Sequence, residues 1–459
     1  MTTTPEAMHA ISDETRATVD EVLAYARGRA LYRDVPLDKP VTPEELAARA
    51  SGSLTAEGIG AERATALFAD VLAPTCLSVD HPGYVSFIPS APSKAAIAFD
   101  LVVSASAIYG GSWQEGAGAV FAENEVLHWL AAEFGLPETA GGVFVQGGTI
   151  GNLSALVAAR DATRRRNREE GRADPPRFAV VCSAEAHSSI ASAAAVMDVD
   201  IVPVPVEADG RLRGDAVASA LDAHGDAVFA VVATAGTTNF GIVDDIASVA
   251  EAAKSRGVWL HVDGAYGLAA MLVERMRPVF AGVEHADSII VDPHKWLFAP
   301  FDACALLYRD PATARAAHTQ HAEYLDTLTD RAEWNPSDLG IQLTRRSRGL
   351  PLWFSLATHG TDQYRASIAY GIDLARRIAD EITRRDDMSL VREPELSVVV
   401  FRREGWTAAD YQAWSDRLLD EQIGFVVPSS HAGEPVLRFA IINPLTTFEV
   451  LCGILDTLA

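Results

Sequence analysis

Val258-Trp-Leu-His-Val-Asp263-Gly-Ala-Tyr-Gly267 is the stretch that decides the fold. Its apolar and β-branched residues run straight into an acid and then into a turn of small residues. Such a run reads as a buried parallel strand that delivers a carboxylate to its C-terminal edge, where open α/β sheets carry their sites. Taken alone, the acid reads equally well as the cap of a following helix. The chain on either side favours the first reading. From residue 143 to residue 308, short apolar runs at 143–146, 178–182, 201–204, 228–233, 258–262, 288–291 and 303–308 alternate with helical patterns at 153–163, 188–197, 214–224, 246–255 and 268–280. Alternation of this kind specifies a mainly parallel sheet with helices on both faces.

Outside that region the pattern changes. Residues 18–29, 43–50 and 61–72 read as helices, with Thr42 and Pro43 as cap and first-turn proline. They hold too few apolar residues to fold alone. A helix is expected over 119–134, with Glu123 and Glu125 facing solvent, and the charged run 164–177 reads as a solvated loop. Beyond Arg345, helices are expected at 350–359 and 363–385, strands at 396–402 and 436–440, and an apolar segment over 448–458. The expected organisation is an N-terminal helical arm at 1–80, a large α/β unit at 81–345 and a small α+β unit at 346–459.

The chemistry starts from a scarcity. Only four of the 38 basic residues are lysines, and Lys295 stands in Asp292-Pro-His-Lys-Trp296 between two apolar runs. A lysine among apolar neighbours is expected to have a lowered pKa and to act as an amine nucleophile toward a carbonyl. The plain alternative is a snorkelling surface lysine. Taken with Asp263, Lys295 suggests pyridoxal phosphate. The amine carries the cofactor aldehyde, and the carboxylate keeps the pyridine nitrogen protonated so that the ring serves as an electron sink. A third stretch, Gly141-Gly-Val-Phe-Val-Gln146-Gly-Gly148-Thr149-Ile-Gly-Asn152, reads as strand, glycine turn and helix start. That sequence converges backbone N–H groups and a hydroxyl on one point, which suits a phosphate dianion.

Composition narrows the partners. A net charge of −24 over 459 residues argues against nucleic acid or an anionic membrane surface. Cys76, Cys182, Cys304 and Cys452 show neither metal-ligand nor disulfide spacing, so no metal site is expected. The first eighteen residues lack a signal-peptide core, and no run of about 20 apolar residues suggests a membrane span. A cytoplasmic protein is the expectation.

The motifs Gln146-Gly-Gly-Thr-Ile-Gly-Asn152, Ala186-His-Ser-Ser189, Ala233-Thr-Ala-Gly-Thr-Thr238, His261-Val-Asp-Gly-Ala-Tyr266 and Asp292-Pro-His-Lys-Trp296, in this order and spacing, resemble the group II pyridoxal-phosphate-dependent amino acid decarboxylases, closest to the aromatic-L-amino-acid and tyrosine decarboxylase branch. The resemblance runs from about Tyr25 to the C-terminus. It implies a fold-type I transferase-like architecture with a seven-stranded sheet, and a homodimer whose active site lies at the interface. It also implies decarboxylation of an aromatic or bulky L-amino acid through an external aldimine. Within it, Lys295 would carry pyridoxal 5'-phosphate, Asp263 would grip the ring nitrogen, and His187, by itself an ordinary structural histidine, would stack on the ring. Ala265 would pack under the opposite face. Gly148, Thr149 and His294 would hold the phosphate, with Asp292 nearby in a role left open by its charge. Thr238 and Thr234 would meet the ring hydroxyl or the substrate carboxylate. Phe87, Tyr109 and Trp113 would help form the substrate pocket, in part across the dimer.

One departure stands out. The family's loop tyrosine, which protonates Cα after carbon dioxide leaves, has no counterpart in residues 325–342. Decarboxylation-coupled oxidative deamination to an aldehyde, or an elimination, is therefore the alternative outcome. A silent cofactor-binding homologue is a third reading, opposed by the intact Lys295, Asp263 and His187.

Overall fold

The protein was analysed as a computed structural model, which describes residue 6, residues 8–320 and residues 335–458. The seven expected apolar runs are seven strands: β1 (Gly141–Val145), β2 (Ala179–Ser183), β3 (Asp200–Val204), β4 (Val228–Thr234), β5 (Trp259–Asp263), β6 (Ser288–Val291) and β7 (Cys304–Tyr308). They form one sheet in the order β1-β7-β6-β5-β4-β2-β3. Strands β2 to β6 pair in parallel, and β7 runs antiparallel to both β6 and β1. Six of the seven strands are buried along all or nearly all of their length because both faces of the sheet are covered there, and only the edge strand β3 is largely exposed.

Period-two alternation divides each strand between two cores. Val181, Val231, Leu260, Val262, Ile289 and Leu307 face the helices Trp113–Glu133, Gly214–His224 and Ile246–Ser255. Val180, Val232, Ile290 and Leu306 face the opposite way, toward the helices Gly148–Glu169 and Ser188–Met197. Helix Gly148–Glu169 lies very close to the sheet. A Cβ on Gly151 would come within 2.9 Å of Cys304 Sγ and of Ile290 Cγ2. Only glycine fits there, and the close approach brings the helix start over the ends of β5 and β6.

Three expectations need correction. Residues 268–280 form two 3-10 segments, Gly267–Leu272 and Glu274–Phe280, instead of one α-helix. Val273 between them is extended, and Pro278 cannot donate to an α-helical ladder. The charged run after residue 163 continues the helix to Glu169, its arginines favoring the C-terminal end of the dipole. Glu123 does not face solvent. It is 2% exposed and forms a 2.7 Å ion pair with Arg345, whose side chain is wholly buried.

The C-terminal region carries a second, antiparallel sheet of β8 (Met388–Arg392), β9 (Val398–Arg403), β10 (Ser429–His431) and β11 (Glu434–Ala440), in the order β10-β11-β9-β8. Strands β8 and β10 and the helix Ala408–Asp420 were not expected from sequence. The two strands are short and mostly half-exposed, so they lack an apolar run. In the N-terminal region, helices Asp13–Ala30 and Pro43–Ala50 bury none of their residues, and Thr42 and Glu45 form the capping box that closes the second. Among the described residues no helix is long and apolar enough to cross a membrane.

Candidate active site

The C-terminal ends of β4, β5 and β6 open onto a cavity of about 1140 Å³. Asp263 ends β5, and Asp292, Pro293, His294 and Lys295 follow directly on β6. Asp292 N donates to Ala265 O at 3.0 Å and ties the two strand ends together, and Lys295 N donates to Asp292 O at 2.9 Å and closes the turn after β6. The residues flanking the lysine are anchored. His294 Nδ1 lies 2.7 Å from Ala303 O, and Trp296 is fully buried and stacked on Tyr266 with ring centroids 5.3 Å apart. The tip of Lys295 is thereby aimed into the cavity.

Lys295 Nζ lies 2.8 Å from Asp292 Oδ2. Burial alone would lower the pKa of this ammonium, but the charge and hydrogen bond of Asp292 outweigh burial and raise it above the ordinary lysine value. The expected lowered pKa is thus overturned in this state of the site. Apolar neighbours in sequence point to a lowered value, but the turn after β6 brings the Asp292 carboxylate against the amine. His294 is pushed down by burial. Asp292 is itself 2% exposed, and its Oδ1 has no hydrogen-bond partner.

Asp263 is held differently. Its Oδ2 accepts from Asn152 Nδ2 at 2.9 Å and its Oδ1 from Ala265 N at 3.1 Å, so both oxygens are oriented while each keeps a spare lone pair. His187 caps helix Ser188–Met197, its Nδ1 accepting from Ser189 N at 3.2 Å. Gly147 and Gly148 open helix Gly148–Glu169 without a side-chain cap, leaving its first backbone N–H groups for a ligand. A Cβ at Gly148 would sit 3.1 Å from Asp292 Oδ2 and 3.4 Å from Ala265 Cβ, so a side chain here would press on the Asp292 carboxylate.

The cavity brings together Lys295, Asp263, His187, Gly148, Thr149, Ala265, Thr234, Thr238, His294 and Asp292. Phe87, Tyr109 and Trp113 are not in its wall. Phe87 is 57% exposed and Tyr109 Oη donates to Leu343 O, while Trp113 N donates to Asn335 Oδ1. Within one chain they lie apart from Lys295. Residues 325–334, the first part of the loop lacking a tyrosine, fall outside the described residues.

Residues 56–404 match the family described as the pyridoxal-dependent decarboxylase conserved domain. The chain belongs to that family. It is a pyridoxal-phosphate-dependent amino acid decarboxylase of fold type I. Among its relatives, an aromatic-L-amino-acid decarboxylase of Bacillus atrophaeus is 31% identical over 396 residues, covering 82% of this chain and 80% of that protein. An L-2,4-diaminobutyrate decarboxylase of Rhizobium meliloti is 32% identical over 394 residues, covering 83% and 78%. The crystal structure of Oryza sativa TDC with PLP and tryptamine superposes with a TM-score of 0.88 at 28% identity, covering 100% of this chain and 99% of that one.

The cavity fits the decarboxylase cofactor. It offers an amine, a fixed carboxylate with spare lone pairs and an uncapped helix start, and the orphaned buried atoms Gln146 Oε1 and Asp292 Oδ1 line it. Asn152, Ser189 and His261 stand in the sequence motifs with no role assigned, yet Asn152 bonds Asp263 directly and Ser189 and His261 bond Asn152. The signal was available: Trp259, His261 and Asp263 recur at every second position of an otherwise apolar strand.

Proposed function

We propose that this decarboxylase acts on aromatic or bulky L-amino acids, with Lys295 as the amine to which the cofactor attaches. The observation that carries the residue assignment is the pairing, in one cavity, of a lysine tip with an aspartate whose two oxygens are already fixed by Asn152 and Ala265. When bound, the cofactor supplies a sink for the electron pair left at Cα as carbon dioxide departs. Asp263, with both oxygens oriented, would keep the ring nitrogen protonated. His187 would lie against the ring, Ala265 would leave room beneath it, and Gly148, Thr149 and His294 would hold the phosphate, all of them lining the one cavity. Asp292 serves as counter-ion to the free lysine. Thr234 and Thr238 line the same wall and orient the ring hydroxyl or the substrate carboxylate.

An aromatic substrate is supported by the rings lining the outer cavity. Phe240 and His431 meet edge to face with centroids 4.7 Å apart, and Phe301 lies beside His294. We further read the molecule as an arm at 1–80, a cofactor-binding unit at 81–345 and a small unit at 346–459. The working form in this reading is a homodimer. The arm helices, which bury nothing in one chain, and the exposed Phe87 and Phe121 support that reading. Phe87, Tyr109 and Trp113 then contribute to the partner's substrate pocket.

The absence of tyrosine from residues 325–342 favours a second outcome, aldehyde formation with oxygen uptake. One assay separates the two. Purified holoenzyme is given tyrosine, phenylalanine, tryptophan, dihydroxyphenylalanine, glutamate and 2,4-diaminobutyrate, with and without oxygen. Amine and carbon dioxide from an aromatic substrate, independent of oxygen, support the first outcome. Aldehyde, ammonia and peroxide replace it with the second, and turnover of glutamate or diaminobutyrate alone rejects the aromatic assignment.

A further inference from the structure

Beneath Asp263 a chain of polar side chains crosses the apolar sheet. Trp259 Nε1 donates to Ser288 Oγ at 2.8 Å, and Ser288 Oγ lies 2.8 Å from His261 Nδ1. His261 Nε2 lies 2.8 Å from Asn152 Oδ1. The Asn152 amide nitrogen then serves two acceptors, Asp263 Oδ2 at 2.9 Å and Ser189 Oγ at 2.8 Å, and Ser189 Oγ lies 2.8 Å from His187 Nδ1. Trp259, His261 and Asp263 share one face of β5 by alternation, and Ser288 is the register partner of His261 on β6.

The valences of this chain admit one arrangement. Asn152 Oδ1 accepts only, so His261 must donate to it from Nε2. An uncharged His261 then accepts at Nδ1, which the Ser288 hydroxyl satisfies while taking the indole proton of Trp259. On the far side, Ser189 Oγ must accept from the amide, which leaves its own proton for His187 Nδ1. The proton of a neutral His187 therefore sits on Nε2. His261 is fully buried, which drives its pKa down to about 4 and keeps the ring uncharged at neutral pH, with Asp263 the charged group facing it. Flipping the asparagine would set its oxygen against the Asp263 carboxylate and its N–H₂ against the His261 proton.

We propose that Asn152 and His261 are positioning residues for the cofactor-facing carboxylate, the neutral imidazole pinning the amide so that one N–H holds Asp263 and the other fixes the hydrogen-bond direction at Ser189 and His187. This inference rests on the reading of Asp263 as the cofactor's carboxylate partner. A carboxylate fixed by protein donors meets the ring nitrogen without reorganising, which is where supporting hydrogen bonds gain their value.

The test is made on the full-length chain labelled with ¹⁵N-histidine, before and after cofactor loading, with His261 and His187 assigned by substitution. His261 is expected to be neutral with its proton on Nε2 and to show no titration between about pH 6 and 8, and the neutral form of His187 is expected to carry its proton on Nε2. In Asn152→Asp the acceptor becomes anionic, so His261 is expected to gain a second proton at neutral pH. Cofactor dissociation is followed in parallel for His261→Gln, which retains an N–H for Asn152, and His261→Leu, which does not. The leucine variant is expected to bind about tenfold more weakly and the glutamine variant within about threefold of the parent. A His261 proton on Nδ1, an Asn152→Asp variant with unchanged histidine signals, or equal affinity of the glutamine and leucine variants would each overturn the proposal. Should Asn152→Asp fail to fold, the parent spectra and the glutamine–leucine pair still decide it. Borohydride tagging of Lys295 in the same samples separates this outcome from failure of the cofactor assignment itself.

Discussion

Two buried ion pairs in this molecule use similar parts for opposite ends. In the first, the Arg345 side chain is wholly buried and Glu123 meets both terminal guanidinium nitrogens, at 2.7 and 3.0 Å, while its Oε1 also takes the Gly349 N–H at 2.8 Å. Phe144 O accepts a further bond from Arg345, and so does Gly110 O. In the second, Lys295 remains 24% exposed to the cavity, meets Asp292 through one short contact, and leaves Asp292 Oδ1 unpartnered. Arginine's rigid fork fills the first site and locks the glycine-rich segment at 110–111 and the chain at 345–349 onto helix Trp113–Glu133. Lysine's single point charge can let go. The contrast distinguishes a charge buried for architecture from one held ready for chemistry.

Breaking the second pair should abolish turnover and leave the fold intact. Lys295→Ala is expected to lower kcat by about 10⁴-fold, ~5.5 kcal/mol of transition-state stabilisation, with a smaller fall in urea midpoint than Glu123→Ala because the Asp292 left behind borders the open cavity, where water can reach it. Breaking the first should do the reverse. Glu123→Ala leaves Arg345 as an uncompensated buried charge and is expected to cost about 3–5 kcal/mol in urea unfolding, while enzyme that remains folded keeps its KM. Asp263 lies between the two cases, fixed by donors yet open toward the cavity. Asp263→Asn is expected to lower kcat by about 10²–10³-fold, seen in steady-state kinetics with saturating cofactor.

The smallest expected effect concerns pH. Burial pulls the Lys295 ammonium down and Asp292 pulls it up further, so its folded pKa exceeds the unfolded value of about 10.4. The pair's contribution to stability is therefore complete below that unfolded value and is lost as pH rises through the folded one. For capture of the cofactor the neutral amine is the reactive form. Asp292→Asn keeps a hydrogen-bond acceptor but removes the charge that raises the Lys295 pKa, so the pH profile of cofactor capture by the free amine should move to lower pH. A profile that stays in place would place the two pairs in the same class after all.

How much of this was legible in the sequence follows from burial and distance. The seven strands and most of the helices between them were readable because each strand of a covered sheet is a local apolar run. Residues 188–197, 214–224 and 246–255 match their helices end for end. Lys295 and Asp263 stood out because a charge inside an apolar run is locally anomalous. Glu123 did not stand out. A polar residue at a helical position reads as solvent-facing, and its partner Arg345 is 222 residues away. The raised Lys295 pKa was hidden for a different reason: Asp292 was in view three residues off, but the turn that brings its Oδ2 to 2.8 Å is tertiary geometry. Asn152 was quoted as the end of a glycine-rich motif, and only the packing of its helix over β5 shows that it serves Asp263.

The most direct test of the account is borohydride reduction of the holoenzyme followed by peptide mass mapping. The account predicts a reduced pyridoxyl-phosphate mass on the peptide carrying Lys295 and on none carrying Lys39, Lys94 or Lys254. A tag on one of those three lysines, or a cofactor-loaded protein that takes no tag at position 295, would contradict it.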